Sequence, residues 1–166
     1  MCRVLRWHKL EENLTRSNSF VMIRFAEQND LPRIVEMATE AITTIPRYKE
    51  KILPNREAIT RYMTHLIASP VVWFVVIGPI GNPHGMLAAS KGFHPLEACP
   101  MVSELFWWVD PRKRGRGFVL LKSMLEWGAS EGAQLFVLGG SSKKVGKFYR
   151  HFGFEKLEDI YVKRAA

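Results

Sequence analysis

From Arg112 to Gly117 the chain reads Arg-Lys-Arg-Gly-Arg-Gly, directly ahead of a stretch whose Phe118, Val119, Leu121, Met124, Leu125 and Gly128 recur at helical spacing. A helix N-terminus leaves about four backbone N–H groups without partners and carries about half a positive charge. Glycines ahead of it let a phosphate approach the main chain closely, and arginines add bidentate donors. The chemistry this suggests is a diphosphate cradle built from backbone; a solvated basic turn would look the same in sequence. The spacing excludes two common phosphate loops. No Gly-Lys-Ser/Thr follows, and Leu120 stands where a dinucleotide fingerprint needs its third glycine. A second candidate is Glu104, a lone carboxylate inside the apolar run Val102–Val109 (VSELFWWV). Strand alternation puts Glu104, Phe106 and Trp108 on one face and Ser103, Leu105 and Trp107 on the other. A carboxylate among aromatics is harder to ionise and suits a general base; a substrate anchor or a sheet-edge charge fits the same residue. Ser103 and His94 are weaker alternatives, His94 lying in a Gly-Phe-His-Pro loop.

The elements that must position these groups follow from periodicity and turn residues. Phe20–Phe25 reads as a strand, and Asp30 as the N-cap of a helix with Pro32 in its first turn and Ile34, Val35, Met37, Ala38 and Ala41 on one face. Asn55 caps a second helix to about Ile67. Val71–Ile77 is a dense buried strand, Gly78–Gly85 a turn, Met86–Phe93 the return strand and Val102–Val109 the fourth, closed by Asp110-Pro111. A helix from about Arg116 to Glu131, a strand Leu135–Leu138, a helix Lys143–Phe152 and one or two strands over Phe154–Val162 complete the order β-α-α-β-β-β-α-β-α-β. This is an α/β chain with a mixed sheet, in a single domain over residues 20–166. Residues 1–19 form a basic N-terminal extension, either a short amphipathic helix over Leu5–Leu14 or a loosely docked arm.

The chain has 166 residues, enough to bury roughly 70% of its unfolded surface in one domain. No apolar run approaches the roughly 20 residues of a membrane span, and Met1–Leu10 lacks the apolar core of a secretory signal, so a soluble cytoplasmic protein without a membrane partner is expected. Two cysteines, Cys2 and Cys99, support neither a disulfide framework nor a Cys-rich zinc site, and no metal is expected. The net charge of +8 points to an anionic partner, either nucleic acid or a polyphosphate cofactor. A homodimer is compatible with all of this.

Two segments carry a resemblance. Val109-Asp110-Pro111-Arg112-Lys113-Arg114-Gly115-Arg116-Gly117-Phe118 resembles motif A of the GNAT acetyltransferases, a strand ending Val-x-Pro and an Arg-Gly-x-Gly loop entering a helix. Two registers of the family's Gln/Arg-x-x-Gly-x-Gly/Ala pattern fit, from Arg112 or from Arg114; the second keeps the family's distance from the proline and puts Val119 at the last small position. Lys147-Phe148-Tyr149-Arg150-His151-Phe152-Gly153-Phe154 resembles the end of motif B, an aromatic-Tyr pair ahead of Gly-Phe. Ser142 stands where many members carry Asn. The resemblance implies a GNAT-like acyl-CoA N-acyltransferase fold and transfer of an acetyl group from acetyl-CoA to a primary amine. It implies that Arg114, Gly115, Arg116, Gly117, Phe118 and Val119 hold the diphosphate, that the backbone of Trp107, Trp108 and Val109 lines the pantetheine arm and supplies the oxyanion donor, and that Ser142 contacts the cofactor. Lys143 and Lys144 approach its phosphates or simply solvate the helix start.

Acetyl transfer makes chemical demands these residues can meet. A lysine-like amine of pKa about 10.4 must lose a proton before it attacks, which gives Glu104 a role as base. The leaving thiolate needs a proton from an acid of similar pKa, and Tyr149, at about 10, is placed by the resemblance beside the sulfur. A core tyrosine is the alternative. Tyr48, Tyr62 and the Ile45–Leu53 linker occupy the family's variable acceptor region, which leaves the acceptor unnamed. The competing reading is a nucleic-acid-binding or regulatory module on this fold with little turnover, or an enzyme acetylating an amine of a modified nucleic acid.

Overall fold

Trp73, Val75 and Ile77 alternate with Phe74 and Val76, and all five are buried. A strand apolar on both faces has to lie inside a sheet with helices on either side. The computed structural model, which describes residues 22–45, 48–49, 51–113, 115–140, 142–158, 160 and 162, shows that arrangement. Its elements are β1 (Ile23–Phe25), α1 (Leu31–Thr44), α2 (Arg56–Ala68), β2 (Val72–Ile77), β3 (Gly85–Phe93), β4 (Pro100–Val109), α3 (Gly117–Ser130), β5 (Leu135–Val137) and α4 (Lys143–His151). The strands lie in sequence order, with β1 to β4 antiparallel to their neighbours and β5 parallel to β4.

The alternation sends side chains to two cores. Phe74, Val76, Met86, Ala88 and Trp108 meet the buried stripes of α1 (Ile34, Val35, Met37, Ala38, Ala41) and α2 (Ile59, Met63, Leu66). Trp73, Val75, Ile77, Leu87, Ala89 and Val102 meet Leu120, Leu121 and Met124 of α3, with Phe148 and Phe152 of α4 alongside. The Trp73 and Trp127 rings stack at 5.4 Å with 8° between planes, a pairing worth about 1 kcal/mol beyond the area it buries. Gly128 is required here, because a Cβ on it would fall within the Phe136 ring. Asn55 caps α2 as expected, its side chain accepting from the Ala58 N–H at 2.9 Å.

Asp30 is the N-cap residue of α1, as expected, but its side chain makes no cap hydrogen bond to that helix. Its carboxylate is fully buried, takes both Arg24 guanidinium nitrogens at 2.6 and 2.8 Å, and accepts the N–H groups of Glu27 and Gly81. Burial disfavours its charge, but these donors outweigh burial and hold the carboxyl below its ordinary value. Asp30 therefore pins β1 to the β2–β3 turn. Two expectations are corrected. Residues 154–158, 160 and 162 form no strand; Leu157 and Ile160 are exposed, and such a short tail finds no partner strand among the described residues. The second correction concerns Glu104 and is set out below. The N-terminal extension, residues 1–19, lies outside the described residues, as does Arg114.

Candidate active site

β4 changes character along its length. Met101, Val102 and Ser103 pair with Leu135, Phe136 and Val137 of β5, and that pairing ends at Ser103. β3 continues alongside β4 to Val109. From Glu104 onward the β5-facing edge of β4 has no strand beside it among the described residues.

At the same point the register on the other side slips. Ala89 lies opposite Glu104, but Ala88 lies opposite Phe106, so Leu105 is the extra residue of a β-bulge. The simple alternation expected from sequence breaks there. Leu105, Phe106 and Trp108 turn to the α1/α2 core, whereas Glu104 is registered against Ala89 of the α3/α4 core, the core that Trp107 and Val109 also join. Glu104 therefore does not share a face with Phe106 and Trp108. The bulge puts it on the side of α4.

On that side stands Tyr149, 8% exposed, with its ring stacked on Trp107 at 6.0 Å and tilted against Phe148 and Phe154 at 6.0 and 5.8 Å. α4 is strongly amphipathic: Phe148, Tyr149 and Phe152 face in, while Lys143, Lys144, Lys147 and Arg150 are exposed. The Tyr149 hydroxyl donates to the Gly139 carbonyl at 3.2 Å, and Glu104 Oε2 accepts the Gly139 N–H at 3.1 Å. The two candidate catalytic side chains are thus held by the same residue. Ser142 caps α4, its Oγ accepting from the Val145 N–H at 3.2 Å.

The glycine loop closes the other end of the open edge. After Val109 a helical turn over Pro111–Lys113 leads to Gly115, whose φ of +96° favours glycine and which has open space where a Cβ would stand. Gly117 begins α3 tight against β4; a Cβ there would come within 3.3 Å of the Trp107 ring. Arg116 is the N-cap, in a helical conformation, and its side chain makes no cap hydrogen bond. Phe118 and a half-buried Val119 stand in the first turn of this helix, and the Val119 N–H donates to the Arg116 carbonyl at 3.2 Å. Among the other residues expected to meet the cofactor, Trp107 and Val109 line this side with their side chains. Trp108 offers only its backbone here: its side chain lies in the opposite core, and its buried indole N–H has no acceptor among the described residues.

Two residues not anticipated brace the loop. Asp110 is buried and receives the Arg112 side chain at 3.0 and 2.7 Å, the Arg112 backbone N–H at 2.9 Å, and Arg33 of α1 at 3.5 Å. These contacts, Arg112 first, hold its carboxyl well below the usual carboxylate range. They also turn Arg112 back toward the strand end. Arg116 Nη1 donates to His84 Nε2 at 3.2 Å. An arginine has no lone pair to offer, so this nitrogen of His84 is the acceptor. Burial, then the charges of Arg116 and Lys113, lower the His84 pKa. His84 had been legible only as a turn residue. Part of the positive charge is thereby consumed: Arg24, Arg33 and Arg112 pair with internal carboxylates. Among the described residues no cluster of His, Cys, Asp and Glu could hold a metal, and no helix is long and apolar enough to cross a membrane.

No protein-family model and no curated protein matches the sequence. Solved structures do match. A transcriptional regulator from Bacillus halodurans superposes with a TM-score of 0.69 at 21% identity, over 87% of this chain and 99% of that one. A predicted acetyltransferase from Clostridium acetobutylicum, solved with acetyl-CoA, gives 0.69 at 16% identity over 87% and 96%. The aminoglycoside N-acetyltransferase AAC(6')-Iy in complex with CoA gives 0.66 at 18% identity over 89% and 96%. At these identities the likeness is one of fold: the chain shares the mixed α/β fold of these structures, two of which are described as acetyltransferases, and the two motifs implied a fold of that kind.

Proposed function

We propose that the chain is an acetyl-CoA-dependent N-acetyltransferase acting on a primary amine, with Tyr149 as general acid and Glu104 as base. The observation that carries this reading is the meeting of Glu104, Trp107 and Tyr149 at the point where β4 parts from β5, on a strand that runs into the glycine-led start of α3. The cradle fits a diphosphate: Gly115 leaves its approach open, and Gly117 lets the loop lie against Trp107. The backbone N–H groups at Gly115–Phe118, with Arg116 beside them, would hold the CoA diphosphate, the Val119 N–H being already given to the Arg116 carbonyl at 3.2 Å, and the edge of β4 beyond the end of β5, from Leu105 to Val109, would receive the pantetheine arm. Bound there, acetyl-CoA supplies an acyl carbon and a thiol leaving group.

The chain's own residues then have defined tasks. Glu104 takes a proton from the ammonium form of the acceptor, directly or through water, so that nitrogen has a lone pair. A backbone N–H of Trp107–Val109 receives the negative charge that develops on the carbonyl oxygen. As the nitrogen–carbon bond forms and the carbon–sulfur bond breaks, the Tyr149 hydroxyl passes its proton to sulfur, and the proton that the new amide nitrogen sheds goes to solvent, from which tyrosinate is reprotonated. Burial of Tyr149 against Trp107 keeps water from that transfer. The acceptor is an amine; the aminoglycoside enzyme's likeness in fold does not name it.

Calorimetric titration with coenzyme A, followed by a thiol-release assay across amines, peptides and nucleic acids with products read by mass, tests the proposal. Saturable binding and an acetylated amine are expected. Absence of any coenzyme A signal would sink it, and binding without turnover on any class would favour a regulatory module.

A further inference from the structure

On the reading above, Tyr149 and Glu104 serve opposite ends of one reaction, yet both hang from Gly139. Its N–H donates to Glu104 Oε2 at 3.1 Å and its carbonyl accepts from the Tyr149 hydroxyl at 3.2 Å. Gly139 and Gly140 follow β5 and precede the Ser142 cap of α4, a stretch with no side chain of its own to pack. A phenol hydroxyl owns a single proton. Tyr149 cannot give it to the Gly139 carbonyl and to a sulfur at the same time.

We propose that Gly139 is a positioning residue that links the acid to the base, so that turning the Tyr149 proton toward the coenzyme sulfur releases Gly139 and loosens its N–H from Glu104. A carboxylate that loses a donor takes up a proton more readily. Seating the coenzyme therefore strengthens the base that must act on the incoming amine. Before it is seated, the same contact restrains Glu104 with a donor and occupies the Tyr149 proton. The sequence of events is sulfur first and amine second, enforced by one glycine rather than by a moving lid.

The test is the hydrogen-exchange rate of the Gly139 amide, followed by NMR in the full chain, and it needs no turnover. Relative to the ligand-free protein, Tyr149→Phe should speed this exchange at least threefold, because it removes only the hydroxyl from a ring whose packing is kept. Glu104→Gln, which weakens the acceptor, should do the same, and saturating coenzyme A should move the rate in the same direction. The Val145 amide, held by Ser142 Oγ at 3.2 Å, should not change and separates this effect from general loosening. Equal Gly139 rates in the wild type and both variants, or an equal acceleration at Val145, would overturn the link. Slower exchange with coenzyme A bound would overturn the order of events. Faster Gly139 exchange in both variants, in a protein that fails to bind coenzyme A, would support the link while removing the acetyltransferase reading.

Discussion

The two halves of β4 share a strand and a composition rich in apolar residues, yet they do different things. Pro100–Ser103 runs between β3 and β5, and its Val102 is fully buried in a core. Glu104–Val109 keeps β3 on one side only, carries the bulge at Leu105, and presents its other edge to Tyr149 and the glycine loop. The difference originates in β5, a strand of three residues that stops at Val137. Where a neighbouring strand satisfies the backbone, side chains serve stability. Where it is withdrawn, the backbone can bind, and a charged side chain is tolerated.

That comparison can be broken by experiment. The largest effect is expected in the open half: Tyr149→Phe should lower kcat by roughly a hundredfold, the low end for a general acid, with little change in melting temperature. An unchanged kcat would remove Tyr149 from the chemistry. In the closed half the effect should be on stability alone. Gly128→Ala drives a methyl into Phe136 and Val102, and overpacking of this kind costs about 2 kcal/mol; denaturant unfolding should report it while kcat per folded molecule stays constant. Glu104→Gln should lower kcat/KM about tenfold and erase the acidic limb of its pH profile. An intact acidic limb would make Glu104 an anchor. The smallest effect near neutrality is acid sensitivity. Asp30 and Asp110 both have depressed folded pKa values, so the stability they contribute is complete above the unfolded value of about 3.9 and is lost as the pH falls through the lower folded values. Urea midpoints should be flat from pH 7 to about pH 5 and fall steeply below pH 4, and less steeply in Asp30→Asn.

Much of this was readable in advance, for reasons that differ by element. α1 and α2 declared themselves because a helix buries a stripe whose period is written in the chain, and Asn55 acts on a donor three residues away. Asp30 was legible as the N-cap position of α1 but not as the partner of Arg24, Glu27 and Gly81, because Gly81 lies 51 residues away and no local pattern reports it. The bulge at Leu105 was invisible for a related reason. An extra residue exists only relative to a partner strand, so no pattern within Val102–Val109 reports it.

The sequence by itself determined the order of elements as far as α4, the apolar faces, and the two segments whose glycines, arginines and tyrosine suit a diphosphate and a thiol, since each depends on residues close together in the chain. Tertiary structure alone decided which face of the sheet receives Glu104, that His84 and Asp110 brace the loop, and that Gly139 bonds to both Glu104 and Tyr149. Those outcomes depend on strand register and on main-chain groups, and a glycine's N–H and carbonyl leave no trace in residue type.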